Sequence, residues 1–400
     1  MAAMPVRSPA VDGIARARAI TDALFEQVRP EAIYDRPIPE RHRMLFYVGH
    51  LEAFDWNQVG RAALGLSPVS AELDQLFAFG IDPPPGRLPQ DQPADWPSPQ
   101  QTTAYVAQVR KRLDRLMDGA PEEALHVALE HRLMHAETLT YLLHNLPYQR
   151  RRSLAAPVAD CAESPPFTMI EIPGGTATLG RKRGDGFGWD NEFEQHTCRV
   201  PGFRVSKYKI TNAQYLEFVK AGGPRPHYWL ERHGVWFYRG LHAETPLPPA
   251  LPVYVSHEQA EAYAHWSGKS LPTEAQFHRC ASGEAYPWGN GAPDATRGNF
   301  DFHYPDLLPV TATPLGDSPF GVAQLVGNGW EWTSSVFAPF AGFTPNPAYP
   351  GYSANFFDGD HYVLKGGSCV TDALLLRRTF RNWFRREYPY AYATFRVVEN

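Results

Sequence analysis

The sequence predicts two domains of different class: a helical bundle over residues 1–150 and a loop-rich α+β domain over residues 167–400, joined by a linker at 151–166. Three observations predict this. Four hundred residues exceed what one hydrophobic core organises, since single cores stop growing near about 250 residues. Between residues 13 and 146 apolar positions recur at helical spacing. From residue 167 the pattern changes to short β-prone runs separated by loops rich in Gly, Pro, Asn and aromatic residues.

The helical periodicity falls into segments 13–29, 41–64, 101–118 and 122–146, the element count of a four-helix bundle. Between the second and third lies LFAFGIDPPPGRLPQDQPADWPSPQ, whose seven prolines forbid a regular helix and whose length exceeds an ordinary bundle connection. Long crossovers of this kind are often functional. The polar stretch PYQRRRSLAAPVADCAESPP reads as the interdomain linker. In the second domain FTMIEIPGG, CRVPGFRVSKYKI, HYVLKGGSC and ATFRVV predict strands, and short helices are expected near 211–221 and 256–267.

Composition narrows the function. A chain with 43% hydrophobic and 20% charged residues, lacking a long uninterrupted apolar segment, is neither disordered nor membrane-spanning. The net charge of −5 leaves no basic surplus for a phosphate backbone, which argues against nucleic acid as a partner. Asp12, Arg16 and Arg18 interrupt any secretory apolar stretch at the start, so a cytoplasmic location is expected. Cys161, Cys198, Cys280 and Cys369 are scattered, which suits buried or inert thiols in a reducing compartment.

The sharpest chemical feature is in the fourth predicted helix, ALEHRLMHAETLTYLLHNL, where His131 and His135 stand four apart and therefore one turn above each other. Val127, Met134, Thr138 and Leu142 continue that face, so both imidazoles are expected inside the bundle, where metal sites are built. On spacing alone the pair reads first as two hydrogen-bonded core histidines. His50 adds a third imidazole, set among Leu45, Phe46, Val48, Leu51 and Phe54, where an unpaired ring is costly. Three neutral nitrogens from two helices suit Fe, Zn, Cu or Ni and leave positions open. Glu137 lies two residues beyond His135 and points roughly 160° away around the helix, which makes it a supporting group rather than a ligand.

The H-x3-H-x-E run formed by His131, His135 and Glu137, with the upstream His50, resembles the metal motif of the DinB-like domain of the sulfoxide synthases, the nonhaem iron enzymes EgtB, OvoA and SenA. The runs MIEIPGGTATLG, VSKYKITNAQYLEFV, LPTEAQFHRCASG, YPWGN, VGNGWEWTSS, VLKGGSC and FRNW resemble the formylglycine-generating-enzyme module with its C-type-lectin-like fold. The resemblance covers nearly the whole chain in order. It implies a DinB-like four-helix bundle followed by a C-type-lectin-like domain. It further implies Fe(II) on His50, His131 and His135, with O2, a sulfur or selenium donor and hercynine, the trimethylated histidine betaine, as small-molecule partners. Oxidative coupling of the chalcogen to an imidazole carbon would follow, the protein contributing proximity and orientation.

Further positions carry over from the resemblance. Asn382 and Trp383 match the pair that contacts hercynine's carboxylate and ammonium end, an aromatic face beside a quaternary ammonium being a cation–π site. Tyr349 and Tyr352 are the candidates for the tyrosine that acts near the iron. Two positions depart from the γ-glutamylcysteine-using pattern: Phe384 stands where an acidic residue holds the donor's amine, and Met134 where Gln contacts the imidazole. These departures favour a donor without an amino-acid head group, and a SenA-type selenoneine synthase using a selenosugar is the first expectation. Arg87, Arg385 and Arg386 are the expected hydrogen-bond donors to it.

The alternatives are an EgtB-like enzyme using cysteine or γ-glutamylcysteine, a noncatalytic lectin-like binding module, and a copper-dependent formylglycine-generating enzyme, which would need two neighbouring cysteines. The acidic run DGFGWDNE is compatible with a structural Ca2+ or with ordinary solvated turns.

Overall fold

Ser8 opens the first helix: its Oγ accepts the Ala10 N–H, and Pro9 occupies the first helical position, where its missing donor costs nothing. The computed structural model describes residues 8–81, 87–152, 162–281, 284–304 and 306–400. The centre of the expected linker with Cys161 and the triple proline of the crossover lie outside the described residues. The chain divides after Ala155 into two units.

The first unit contains α1 (Pro9–Glu26), α2 (Met44–Asp55), α3 (Ala71–Phe79), α4 (Pro99–Leu113) and α5 (Glu122–Asn145), and α2 continues as a π-helical stretch over Trp56–Ala63. Four helices were expected, and α3 is the addition. The crossover's prolines begin only at Pro83, and upstream of them Ser70 caps the helix by accepting the Leu73 N–H while Gly80, at φ 73°, ends it. The described part of the crossover from Arg87 onward is anchored at Asp91, whose carboxylate accepts Trp96 Nε1–H at 2.7 Å and Arg43 Nε–H at 2.8 Å and pairs with Arg36.

Helix α2 is the centre of this unit. Every residue from Met44 to Asp55 except Val48 is buried, because α3, α4 and α5 all pack against it. Its two buried carboxylates face Arg132 of α5, whose Nη2 lies 2.6 Å from Asp55 and 3.0 Å from Glu52. Arg110 of α4 reaches Glu52 at 2.8 Å, so charge removed from water here is paired. Among the described residues no helix is long and apolar enough to cross a membrane.

The second unit is α+β. Its strands are β1 (Met169–Ile172), β2 (Gly175–Leu179), β3 (His196–Val200), β4 (Phe203–Ser206), β5 (Trp229–Arg232), β6 (Val235–Arg239), β7 (Glu244–Pro246), β8 (Trp330–Val336), β9 (His361–Lys365), β10 (Asn382–Arg385), β11 (Ala393–Thr394) and β12 (Val398–Glu399). They form four small sheets in the orders β1-β4-β12, β2-β3, β5-β6-β7 and β10-β9-β8-β11. Helices α6 (Asn212–Lys220) and α7 (His257–Trp266) occupy the two expected segments, and α8 (Glu274–Cys280) is a third. All three open with the same reciprocal capping box, Thr211 with Gln214, Ser256 with Gln259 and Thr273 with Gln276. The core gathers Ile172, Leu179, Val205, Phe277, Val322 and Leu325. Beside it Glu331 holds Lys209 at 2.8 Å and Arg396 at 2.6 Å, a fully buried ionic set.

Candidate metal centre and substrate-binding face

The α-helical pitch sets His131 and His135 on one face of α5, with ring centroids 4.4 Å apart. His50 comes from α2, 5.2 Å from His131 and 4.8 Å from His135 by centroid. Each of the three offers a nitrogen, and these atoms lie within 4.8 Å of one another. The Nε2 atoms of His50 and His135 are 3.2 Å apart. Two neighbouring nitrogen ligands about 2.1 Å from one ion sit about 3 Å from each other, so the spacing suits a shared cation.

Burial keeps these rings neutral. It pushes His50 down to about 4 and holds His131 and His135 well below the usual imidazole range, each ring being further disfavoured as a cation by its imidazole neighbours or by Arg132. A neutral imidazole keeps a lone pair for a metal. The walls are aromatic: Phe54 stacks on His131 at 3.4 Å and 9°, Phe46 on His50 at 4.7 Å and 26°, and Tyr47 lies 5.9 Å from His135. His135 Nδ1 is buried with no protein partner among the described residues. His50 Nδ1–H donates to the Phe77 carbonyl oxygen at 2.7 Å, leaving Nε2 to face the other rings. The donor set, its neutrality and its dry surroundings fit a transition metal of the iron-to-zinc range. Glu137 is buried on the same helix. Phe54, four residues past His50 at helical spacing, was legible as part of the apolar setting of His50, whereas Tyr47 and the Phe77 carbonyl escaped the sequence reading.

In the second unit Trp383 lies on β10, an edge strand paired with β9 through Trp383↔Val363. Phe337 stacks on its ring at 4.3 Å and 8°, and Tyr352 meets it edge-on at 5.2 Å and 83°. Tyr352 in turn stacks on Trp189 at 3.9 Å, and Phe356 closes on Trp383 at 5.6 Å. The result is an aromatic enclosure around a half-buried indole, the chemistry that receives a quaternary ammonium. Tyr349 is 5.8 Å from Tyr352, and burial raises its phenol. Strand alternation turns Asn382 to the opposite face from Trp383, with Asn382 Oδ1 accepting the Trp383 N–H at 2.9 Å.

Comparison with known proteins agrees with both units. The sulfatase-modifying factor enzyme 1-like domain matches residues 155–400, and the DinB superfamily matches residues 14–144. A hercynine oxygenase of Mycolicibacterium thermoresistibile is 35% identical over 322 residues, 72% of this chain and 72% of that protein. The chain belongs to the EgtB/OvoA family. Ergothioneine biosynthesis protein 1 of Schizosaccharomyces pombe, 28% identical, is matched over 95% of this chain and 54% of its own length. The solved structure of PvdO from Pseudomonas aeruginosa is 21% identical and covers 57% of this chain and 93% of its own, at a TM-score of 0.43.

The remaining residues expected from the EgtB/OvoA resemblance are dispersed. Met134, on α5 between the two histidines, is half-buried. Phe384 stacks on Tyr388 at 4.9 Å and 5°, so no carboxylate stands there. Arg386 is 3.4 Å from Glu261, a surface ion pair, and Arg385 and Arg87 are exposed. In the acidic run thought compatible with Ca2+, Asp190 accepts from Ser353 Oγ and the Asn346 N–H, and Glu192 accepts from Arg377 Nε–H at 2.9 Å and Thr379 Oγ–H at 2.6 Å. These carboxylates staple loops together. Cys198, Cys280 and Cys369 form no disulfide among the described residues, and burial raises Cys280 to about 12.

Proposed function

We propose that this protein is an oxidoreductase that joins a sulfur donor to the imidazole of hercynine, with His50, His131 and His135 holding iron(II). The observation that carries the reading is the meeting of three neutral, aromatic-walled imidazoles in a chain 35% identical to a hercynine oxygenase. Bound there, iron(II) would supply the redox chemistry that makes O2 a co-substrate. The chain's own contribution is binding and orientation. Trp383, backed by Phe337 and edged by Tyr352, takes the trimethylammonium end of hercynine, while Asn382, turned to the other face of the strand, supports the Trp383 backbone through its Oδ1. The buried phenol of Tyr352, or of Tyr349 next to it, is the candidate proton donor. Met134 offers the imidazole an apolar contact and no hydrogen bond.

The relatives, a hercynine oxygenase and an ergothioneine biosynthesis protein, support a sulfur donor ahead of the selenosugar first expected from the sequence. A second reading keeps the selenosugar. It is favoured by Phe384, which leaves no anion at that position to hold the amine of an amino-acid donor.

The test is anaerobic reconstitution with iron(II), followed by O2 uptake and mass spectrometry with hercynine plus cysteine, γ-glutamylcysteine or selenosugar in separate reactions. A sulfoxide from either thiol supports the first reading. A selenium adduct formed with the selenosugar alone supports the second, and absence of both iron binding and O2 uptake overturns the two together.

A further inference from the structure

The last four carbonyls of an α-helix have no partner within the helix and must find one elsewhere. In α3 the Leu76 carbonyl accepts the Gly80 N–H at 2.7 Å, and the Phe77 carbonyl accepts His50 Nδ1–H at 2.7 Å. A carbonyl oxygen can only accept, so this bond requires the proton on Nδ1. The lone pair is then on Nε2, the atom 3.2 Å from His135 Nε2.

The approach that makes this bond depends on a missing side chain. A Cβ at Gly49 would lie 2.4 Å from the Phe77 ring, closer than atoms can pack. Phe77 is fully buried, so its ring has nowhere to retreat without moving the turn that carries its carbonyl. The other end of α3 is fixed independently. Asp74 accepts Tyr105 Oη–H at 2.8 Å and the Val69 N–H at 3.0 Å, which ties the helix to α4.

We infer that the C-terminal turn of α3 is a positioning element for the metal centre: its Phe77 carbonyl selects the ligand-competent tautomer of His50, and Gly49 admits it. The inference rests on the metal reading above. Without that carbonyl the His50 proton is free to occupy Nε2, where it faces the other two rings and blocks coordination. Partners of this kind typically change metal affinity tenfold to a hundredfold. Gly49 and Phe77 therefore act through His50 and touch neither substrate nor ion.

The first readout needs no metal. In 15N-histidine-labelled, metal-free full-length protein, long-range 1H–15N correlation should show His50 protonated at Nδ1 and bare at Nε2, its signals assigned by their loss in His50→Gln. Gly49→Ala should move protonation towards Nε2 and weaken iron(II) binding at least tenfold in a chelator competition, with helix content unchanged by circular dichroism. Adding Phe77→Leu to Gly49→Ala removes the ring that the new methyl meets. The double variant should recover affinity to within about threefold of Phe77→Leu alone, and it covers the case in which Gly49→Ala does not fold. A wild-type His50 protonated at Nε2 overturns the inference, as does Gly49→Ala retaining both tautomer and affinity. Wild-type protein that binds no iron(II), with His50 protonated at Nδ1, overturns instead the metal reading on which the effect on affinity depends.

Discussion

In the first unit the buried nitrogens of His50, His131 and His135 project from two regular helices, whereas in the second Trp383, Tyr352 and Trp189 come from an edge strand and two loops. The first arrangement uses helical pitch: a four-residue separation sets the distance between two ligands, and little else need be specified. The second has no such ruler. Its loops are held by buried carboxylates, Asp190 on Ser353 and Asn346, Glu192 on Arg377 and Thr379, and the aromatic rings take position from what those anchors hold. Point donors that must converge within fractions of an ångström are best carried on rigid elements, whereas the broad ring faces proposed to receive a diffuse cation tolerate anchored loops.

The comparison can be broken most decisively at the ligands. His135→Ala is expected to abolish iron binding and reduce turnover of hercynine by about a thousandfold or more, with the thermal transition of the second unit unchanged. Iron content by elemental analysis and calorimetry check both halves, and full activity in the variant would sink the metal assignment. Next in size is the buried charge set. Asp55→Ala leaves Arg132 facing Glu52 alone and should cost about 3–5 kcal/mol by denaturant unfolding, confined to the helical unit.

The second unit carries its own pH dependence. Burial lowers His257 from 6.5 to about 4, while its Nε2–H donates to the Thr333 carbonyl. Above pH 6.5 the ring is neutral folded or unfolded, and its contribution is complete. As pH falls from 6.5 towards 4 the unfolded chain takes up the proton first, so stability is lost at up to roughly 1.4 kcal/mol per pH unit. Unfolding at pH 7, 5.5 and 4.5 should show a shallower decline for His257→Gln than for wild type. Smallest is Trp383→Ala, expected to weaken hercynine binding by about 1 kcal/mol, with no change in iron content. Calorimetric titration decides it, and an unchanged affinity returns the indole to a packing role.

Much of the candidate metal centre was legible because its signals are local. The i, i+4 histidine pair and a lone imidazole in an apolar helix follow from side-chain identity and helical period. Helix α3 was hidden by its neighbours: its last four residues, 76–79, read as the start of the proline-rich crossover and the five before them fell in no predicted element, although Ser70 and Gly80 mark its ends. The Phe77 carbonyl was beyond reach in principle, since a backbone acceptor has no letter of its own. In the second unit the partners are remote. Phe337 covers a ring 46 positions later, and Arg386 finds Glu261 125 positions away, so residue types that looked available turn out to be engaged. Chain spacing carries helical contacts but not those between loops.

The π-helical stretch Trp56–Ala63 closes its hydrogen bonds over one more residue than an α-helix, and the Trp56 ring lies over Gly60, where a Cβ would be 2.7 Å away. Deleting one residue there would regularise the helix but rotate everything downstream by about 100°, swinging the start of α3 off the face of α2. Ala62 and Ala63 are exposed, so a change of side chain there meets no packed neighbour. The length of this stretch is not free, so among descendants of this chain Ala62 and Ala63 should drift while the buried Trp56, Val59 and Gly60 hold and the segment admits neither insertion nor gap.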